Sequence, residues 1–504
     1  MLATIASMLL SSKAWPLPDH ASIGLNKFDL AQQYLGLASG GNGQPQYVEV
    51  ERAMAKKAIV DAEANGVRFL RVAITGYAPS FYSQRSDLSL WLSNPGKYWA
   101  AMDAMMDDLH SHNIQIVPVL MFNVNQFPAM THETVGDLLG NPHSKSWFLL
   151  VRYVTEFIKR YRGKHLIFLY EMTNELNLLA DIDNVKSCQE RLSPAMCSVR
   201  SNFTSAQMMA FIQRFYGLIK SLDPSVPVST GFSLPRPSAA HLRAHPGFLY
   251  GKPDWSHDSL SRSLQYLASI NKYANVISVH IYPESSMGGI KATDPQKLIP
   301  VLEKEAKELG KPLFIGEFGA KNPESQAGQK FIKGMLAAIT QNHVAYSALW
   351  VWEFYQKNTY STYDTPPTRY NVGPGYTDGV IHSIKAANAK LDVMPDRLTS
   401  ADAKPIVVID YPLDCQRVTA PVPVYAVASI DGGAVTKVKF ILDGHVVGFA
   451  TKPPYHVEIL PDMLNSGIHH LTAVAYDDTG VTGQYETAIV VGADYSNKCV
   501  VPTK

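Results

Sequence analysis

Between residues 22 and 391 the chain alternates eight times between a short apolar run and a longer segment with apolar residues three and four apart. The short runs lie at 23–30, 67–74, 114–121, 166–172, 226–231, 276–282, 313–318 and 345–352. Most are continuously apolar, as parallel strands covered on both faces must be. The longer segments, at 50–65, 98–112, 147–160, 206–222, 259–273, 295–309, 326–342 and 382–391, carry helical periodicity. Gly66 stands where a helix C-cap glycine belongs. Successive strand–helix units joined by right-handed crossovers predict a (β/α)8 TIM barrel over 22–391. An open doubly wound sheet is the alternative. Neither G-x-G-x-x-G nor G-x-x-x-x-G-K-[ST] follows a strand, which removes its nucleotide-binding versions.

After residue 391 the texture changes. Residues 392–403, polar and containing Pro395, read as a linker, and 404–504 show short alternating runs separated by Asp431-Gly432-Gly433 and Asp443-Gly444. Five to seven short strands predict a small all-β sandwich. At the other end, 1–21 reads as an N-terminal arm or signal remnant: an apolar run over 3–10 precedes Ser11-Ser12-Lys13-Ala14, with no basic segment before it.

Lys plus Arg number 45 against 44 Asp plus Glu, so no electrostatic case exists for a nucleic-acid partner. No apolar stretch approaches the roughly 18 residues that span a bilayer, and a monomer without membrane attachment is expected. Four cysteines allow three pairings. Cys188 and Cys197 share one loop, while Cys415 and Cys499 bracket the last hundred residues or so, which favours those two disulfides and an oxidising, extracellular setting. Four unpaired thiols are the alternative. No C-x-x-C occurs and most histidines lack partners at metal spacing, so neither metal nor cofactor is expected. Asn202-Phe203-Thr204 fits the N-glycosylation pattern.

Barrel chemistry belongs at the C-terminal strand ends. The fourth strand ends in Glu171-Met172-Thr173-Asn174-Glu175 and the seventh in Gly316-Glu317-Phe318-Gly319, on nearly opposite sides of the ring. Strand-end glutamates also serve as caps and ion-pair partners. Two at one mouth suit glycoside hydrolysis, where a carboxylic acid protonates the leaving oxygen and an ionised carboxylate faces the anomeric carbon.

Asn174-Glu175, His280-Ile281-Tyr282, Gly316-Glu317-Phe318-Gly319 and Trp350-Val351-Trp352, in that order, resemble the family 5 glycoside hydrolases, a branch of a clan of retaining β-glycosidases. The resemblance covers about residues 22–391. It implies that Glu175 is the acid/base and Glu317 the nucleophile, with the carboxyl groups about 5 Å apart; about 9 Å would indicate inversion. It further implies that Asn174 holds the sugar 2-hydroxyl, that Tyr282 bonds Glu317, that His280 lines the pocket, and that Arg71 rather than Arg68 keeps Glu317 ionised. Trp350 and Trp352, two apart, are expected on one side of the eighth strand, and one of them matches the family's sugar-stacking tryptophan.

Two departures stand out. Phe122-Asn123-Val124-Asn125 replaces a histidine common after the third strand, leaving that role vacant or to Asn123, and Leu176 stands where proline often follows the Asn-Glu pair. Glu171, Glu284 and Glu353 are expected in supporting or surface roles. Tyr250, Trp255 and His257 in the fifth loop, and Tyr355, Tyr360, Tyr363, Tyr370 and Tyr376 in the eighth, are aromatic subsite candidates. The stretches 437–444 and 469–477 resemble a bacterial Ig-like module. The expected protein is a secreted, retaining hydrolase of β-linked polysaccharide, β-1,4-mannan or β-glucan, cutting by double displacement. The rival is a non-catalytic glycan-binding protein on a glycosidase scaffold. An esterase is set aside, since G-x-S-x-G is absent.

Overall fold

Eight parallel strands form one sheet: β1 (Ser22–Asn26), β2 (Phe69–Ala73), β3 (Gln115–Met121), β4 (Tyr170–Thr173), β5 (Val228–Ser229), β6 (Ile277–Ile281), β7 (Leu313–Phe318) and β8 (Tyr346–Leu349). Their spatial order is β5-β4-β3-β2-β1-β8-β7-β6, the order of a ring. The ends of the sheet are β5 and β6, and these meet outside a ladder. The Asn275 backbone N–H donates to Val228 O at 2.8 Å, and the Val228 N–H returns a 2.8 Å bond to Asn275 Oδ1. The sheet is thus a nearly closed TIM-like barrel. This computed structural model describes residues 21–38, 45–76, 86–189, 197–354, 370–391, 405–412, 415–429, 435–452, 455–461, 464–492 and 499.

The barrel's two ends differ in chemistry. At the N-terminal end Phe69 stacks on Phe168 at 4.5 Å, and Phe168 meets Tyr346 edge-on at 4.9 Å. These rings plug the interior, so polar groups gather at the opposite mouth. Outside, helices at Pro45–Ala64, Pro95–Ser111, Lys145–Tyr161, Ser205–Leu222, Leu260–Ile270, Pro295–Glu308, Gln326–Gln341 and Asp378–Leu391 follow the strands. The helix Lys145–Tyr161 shows why. The Ser144 side chain accepts from the Trp147 N–H and starts it, and Leu150, Tyr153, Val154, Phe157, Ile158 and Tyr161 form its buried stripe. Phe157 is fully buried, so Phe157→Ala would cost about 3–5 kcal/mol. Gly66, at φ +74°, ends the helix before β2 as expected.

Every strand but β7 is shorter than the sequence predicts, and two of them fall furthest short at the end that carries the site. β1 stops at Asn26 rather than running to residue 30, because Leu30 N–H donates back to Lys27 O and the Lys27–Asp29 ion pair (2.8 Å) closes a turn. β8 stops at Leu349 rather than at 352. Short helices at Leu30–Leu35, Asp87–Ser93, Gln126–Thr131 and Val135–Gly140 were absent from the sequence reading, being too brief to show periodicity.

A second compact unit follows Pro395. Its described residues form eight strands, more than the five to seven predicted: β9 (Ile406–Tyr411), β10 (Gln416–Val418), β11 (Val422–Ser429), β12 (Val435–Leu442), β13 (His445–Ala450), β14 (Tyr455–Ile459), β15 (Gly467–Asp477) and β16 (Thr482–Val491). One sheet runs β9-β11-β14 and the other β10-β16-β15-β12-β13. Val424, Phe440, Leu471, Ala473 and Ile489 fill the core of this unit, and the alternation Lys437, Val438, Lys439, Phe440 is what turns one face inward. Disulfides join Cys188 to Cys197 and Cys415 to Cys499. The expected linker and nearly all of the N-terminal arm lie outside the described residues. Asn202 is buried, and its side-chain oxygen accepts from the Asn184 N–H at 2.6 Å, so the glycosylation pattern falls on an inaccessible residue.

Candidate active site

A single arginine organises the polar mouth. Arg71, on β2, is fully buried. Its Nε donates to Glu171 Oε1 (2.6 Å), Nη1 to Asn26 Oδ1 (2.9 Å) and Glu317 Oε1 (2.7 Å), and Nη2 to Asn174 Oδ1 (2.7 Å). The planar fork thus ties β1, β2, β4 and β7 together. Glu171 is itself buried, ion-paired to Arg71, and accepts a 3.1 Å bond from Ser229 Oγ, the structural role expected of it. Asn26 was not singled out from the sequence. Its amide group also donates to Gly316 O at 2.9 Å, and only the folded ring reveals that pairing.

Because a guanidinium donates only, the Asn174 atom facing Arg71 must be the oxygen. The Asn174 NH2 is thereby left to point away from Arg71, on a half-buried side chain. Glu175 adopts left-handed backbone (φ 52°), and its N–H donates to Gly231 O at 2.7 Å. Gly231 must be glycine: at φ +72° an added Cβ would lie 1.8 Å from Thr173 O. Leu176, fully buried, opens the one-turn helix Leu176–Leu179.

Glu317 is aimed by an irregularity in β7. Both ladders flanking β7 shift register around Gly316: Val279 pairs with Ile315 but His280 with Glu317, and Ser347 pairs with Ile315 but Leu349 with Phe318. The bulge re-aims the side chain that follows. Tyr282 Oη then donates to Glu317 Oε2. Burial is the largest influence on Glu317 and pushes its carboxyl up. Nearby Glu175 adds to this, while His280, Arg71 and the Tyr282 bond pull it down. Arg71 stays charged, held up by Glu171 and Glu317 against its own burial.

His280 lies between the two carboxylates, with Nδ1 3.1 Å from Glu175 Oε1 and 3.5 Å from Glu317 Oε1. Burial drives its pKa down to about 4, Glu317 and Glu171 opposing and Arg71 reinforcing the shift. The ring is therefore neutral, and facing two acceptors assigns the proton to Nδ1. Nε2 is buried without a hydrogen-bond partner, over Gly316, where a Cβ would come to 2.8 Å. Glu175, His280 and Glu317 each offer an atom within 4.8 Å of the others. That trio would suit a cation by distance, but the Arg71 charge already against Glu317 would repel one. Glu175 keeps 32% side-chain exposure against 5% for Glu317. One carboxylate therefore meets solvent and the other is enclosed.

The aromatic wall corrects the reading of the two tryptophans. Trp350 stacks on Phe28 at 4.7 Å, in a half-buried cluster with Phe122, Phe354 and Tyr370. Trp352 does not share its side. It is 1% exposed and donates Nε1–H to Ala58 O at 3.0 Å. β8 has ended at Leu349, so the two-residue alternation no longer applies beyond it. Asn123 turns its oxygen back onto the Asn125 N–H (2.9 Å), which makes it a loop-forming residue here. Tyr370 meets Tyr282 edge-on at 5.6 Å, and Tyr250, Trp255 and His257 are exposed. Tyr376 packs near Gly373. Tyr355, Tyr360 and Tyr363 lie outside the described residues. Glu284 is exposed, whereas Glu353 is buried.

The model of the bacterial Ig domain matches residues 405–473. Among solved structures the chain is similar to the endo-beta-1,4-mannanase from Thermotoga petrophila, at 16% identity over 94% of this chain and 98% of that one, TM-score 0.47. It is also similar to the family 5 mannosidase from Rhizomucor miehei, at 15% identity over 74% and 94%, TM-score 0.48. No curated protein matches it. The model of the cellulase family matches residues 51–356, more than half of the chain, and the protein belongs to glycosyl hydrolase family 5.

Proposed function

We propose that this glycosyl hydrolase retains anomeric configuration while cutting β-linked polysaccharide, β-1,4-mannan or β-glucan. The observation that carries the reading is the approach of Glu175 and Glu317, with carboxylate oxygens within 4.8 Å. Retaining enzymes hold their carboxyl groups about 5–5.5 Å apart, whereas inverting ones leave about 6.5–9.5 Å for a water. Glu317, enclosed and paired with Arg71, attacks the anomeric carbon. Glu175, open to solvent, protonates the departing oxygen and then takes a proton from the incoming water. The Asn174 amide, fixed by Arg71, donates to the sugar 2-hydroxyl, and Trp350 offers a face for the ring.

The two disulfides suit a secreted enzyme, working as a monomer with domains at 22–391 and 404–504. The test is a screen of mannan, glucomannan, carboxymethyl cellulose and mixed-linkage glucan, with the anomer of the first product followed by NMR. Retention is expected. Glu175→Gln and Glu317→Gln should each lower turnover by orders of magnitude while glycan binding survives. First-formed product of inverted configuration would refute the mechanism.

A further inference from the structure

The loop after β5 is hydrogen-bonded to the acid/base segment at Ser233 and Arg236, and so carries a cation against it. Asn177 Nδ2 donates to Ser233 O (2.8 Å) and the Ser233 N–H returns to Asn177 Oδ1 (3.0 Å). The Leu234 N–H donates to His280 O at 3.3 Å. Two residues on, Arg236 directs both Nε (3.2 Å) and Nη2 (2.7 Å) onto Leu178 O. Leu178 belongs to the turn Leu176–Leu179, and its own N–H donates to Glu175 O at 3.0 Å. The guanidinium is half-buried, and its hydrogen bonds end on an uncharged carbonyl. Burial works against its charge, and Glu175, with Tyr266, works in favour of it. Attraction is mutual, so Arg236 acts equally on Glu175.

Resting on the reading of Glu175 as acid/base, we propose that Arg236 is a positioning residue for it: the guanidinium holds the turn that aims Glu175 and sets a positive charge to act on it. Among the groups that bear on Glu175 are four from the described residues. His280 is neutral and contributes a hydrogen bond from β6; Tyr282, following β6, is uncharged; Glu317, from β7, tightens the proton by repulsion; Arg236, from the β5 loop, loosens it. In the first step Glu175 must release its proton to the leaving oxygen. Once Glu317 is esterified its charge is gone, and the persistent Arg236 charge keeps Glu175 ionised, so that it can take the proton of the incoming water.

The test compares Arg236→Gln and Arg236→Lys with the parent by two readouts. The first is the titration of Glu175 by 13C NMR of carboxyl-labelled glutamate, assigned with Glu175→Gln. The second is the alkaline limb of kcat/KM. Loss of charge in Arg236→Gln should raise the titration midpoint and the limb together by about one pH unit, with severalfold slower turnover. Arg236→Lys should keep both near the parent values. Should Arg236→Gln fold poorly, Arg236→Met makes the same comparison. An unmoved Glu175 midpoint in the neutral variant overturns the proposal, even if turnover falls. Full activity of Glu175→Gln would instead sink the acid/base reading, while the titration still reports on Arg236.

Discussion

Arg71 Nη1 lies 2.7 Å from Glu317 Oε1, and both side chains are enclosed by the barrel. A charge buried there is tolerable only while its partner remains. Glu317 must be ionised to attack, so its ionisation governs the acid limb of kcat/KM. Burial raises that carboxyl, and the limb should lie above the roughly 4.3 of an ordinary glutamate. Arg71→Met removes the counter-charge, so the limb should climb further and kcat/KM fall about 100-fold or more. Urea unfolding should show a loss of about 3–5 kcal/mol. A limb that stays in place would show that Arg71 does not set the charge of Glu317.

Tyr282 isolates one hydrogen bond without disturbing the fold. Its hydroxyl donates to Glu317 Oε2 and favours the ionised form. Tyr282→Phe keeps the ring against Tyr370 and removes only that donor. Hydrogen bonds to charged groups contribute about 1.5–3 kcal/mol. We expect kcat to fall by about 10- to 100-fold and the acid limb to move to higher pH, with thermal unfolding unchanged. An unchanged limb would mean the hydroxyl serves the sugar rather than Glu317.

The barrel and its two acids were legible because they obey local rules. Eight apolar runs alternate with helical periodicity, and chemistry at strand ends follows from topology, which brought out Glu175 and Glu317; Arg71 came from the resemblance to family 5. What stayed hidden depends on distant chain. Asn26 looks like an ordinary strand residue until the ring closes and brings Gly316 O and Arg71 to it. The bulge at Gly316 is a register shift shared with β6 and β8, which a single sequence cannot display. The Trp352 misreading had the same origin, since where β8 stops is decided by its neighbours.

The two tryptophans should separate binding from stability. Trp350→Ala removes the ring that stacks on Phe28 at the mouth, and KM should rise about tenfold or more as a sugar-facing surface is lost. Trp352→Phe keeps a ring in the interior but deletes the bond to Ala58 O. Ala58 O keeps its place in the helix Pro45–Ala64, so the cost is that of one lost hydrogen bond, about 0.5–1.5 kcal/mol, with KM unaltered. Steady-state kinetics and denaturant titration on both variants check this. A raised KM in Trp352→Phe alone would reverse the assignment.

Glu353 gives the barrel a pH dependence separate from catalysis. Its carboxyl is pushed up to about 7, first by burial and then by Asp61 beside it, with Lys57 and Lys27 opposing. Lys57 Nζ stands 3.6 Å from Oε1, and the Glu353 side chain is only 4% exposed, so solvent screens it little. In the unfolded chain the same group titrates near 4.3. Between about 4.3 and 7 the folded protein therefore holds a proton that the unfolded chain has released. Stability falls as pH rises through this window and levels off above it. Glu353→Gln cannot lose a proton and should remove that fall. Urea unfolding at pH 5 and pH 8 should show the parent losing more stability than the variant, by on the order of 2 kcal/mol. Equal losses in the two proteins would mean that Glu353 is already ionised throughout, balanced by Lys57.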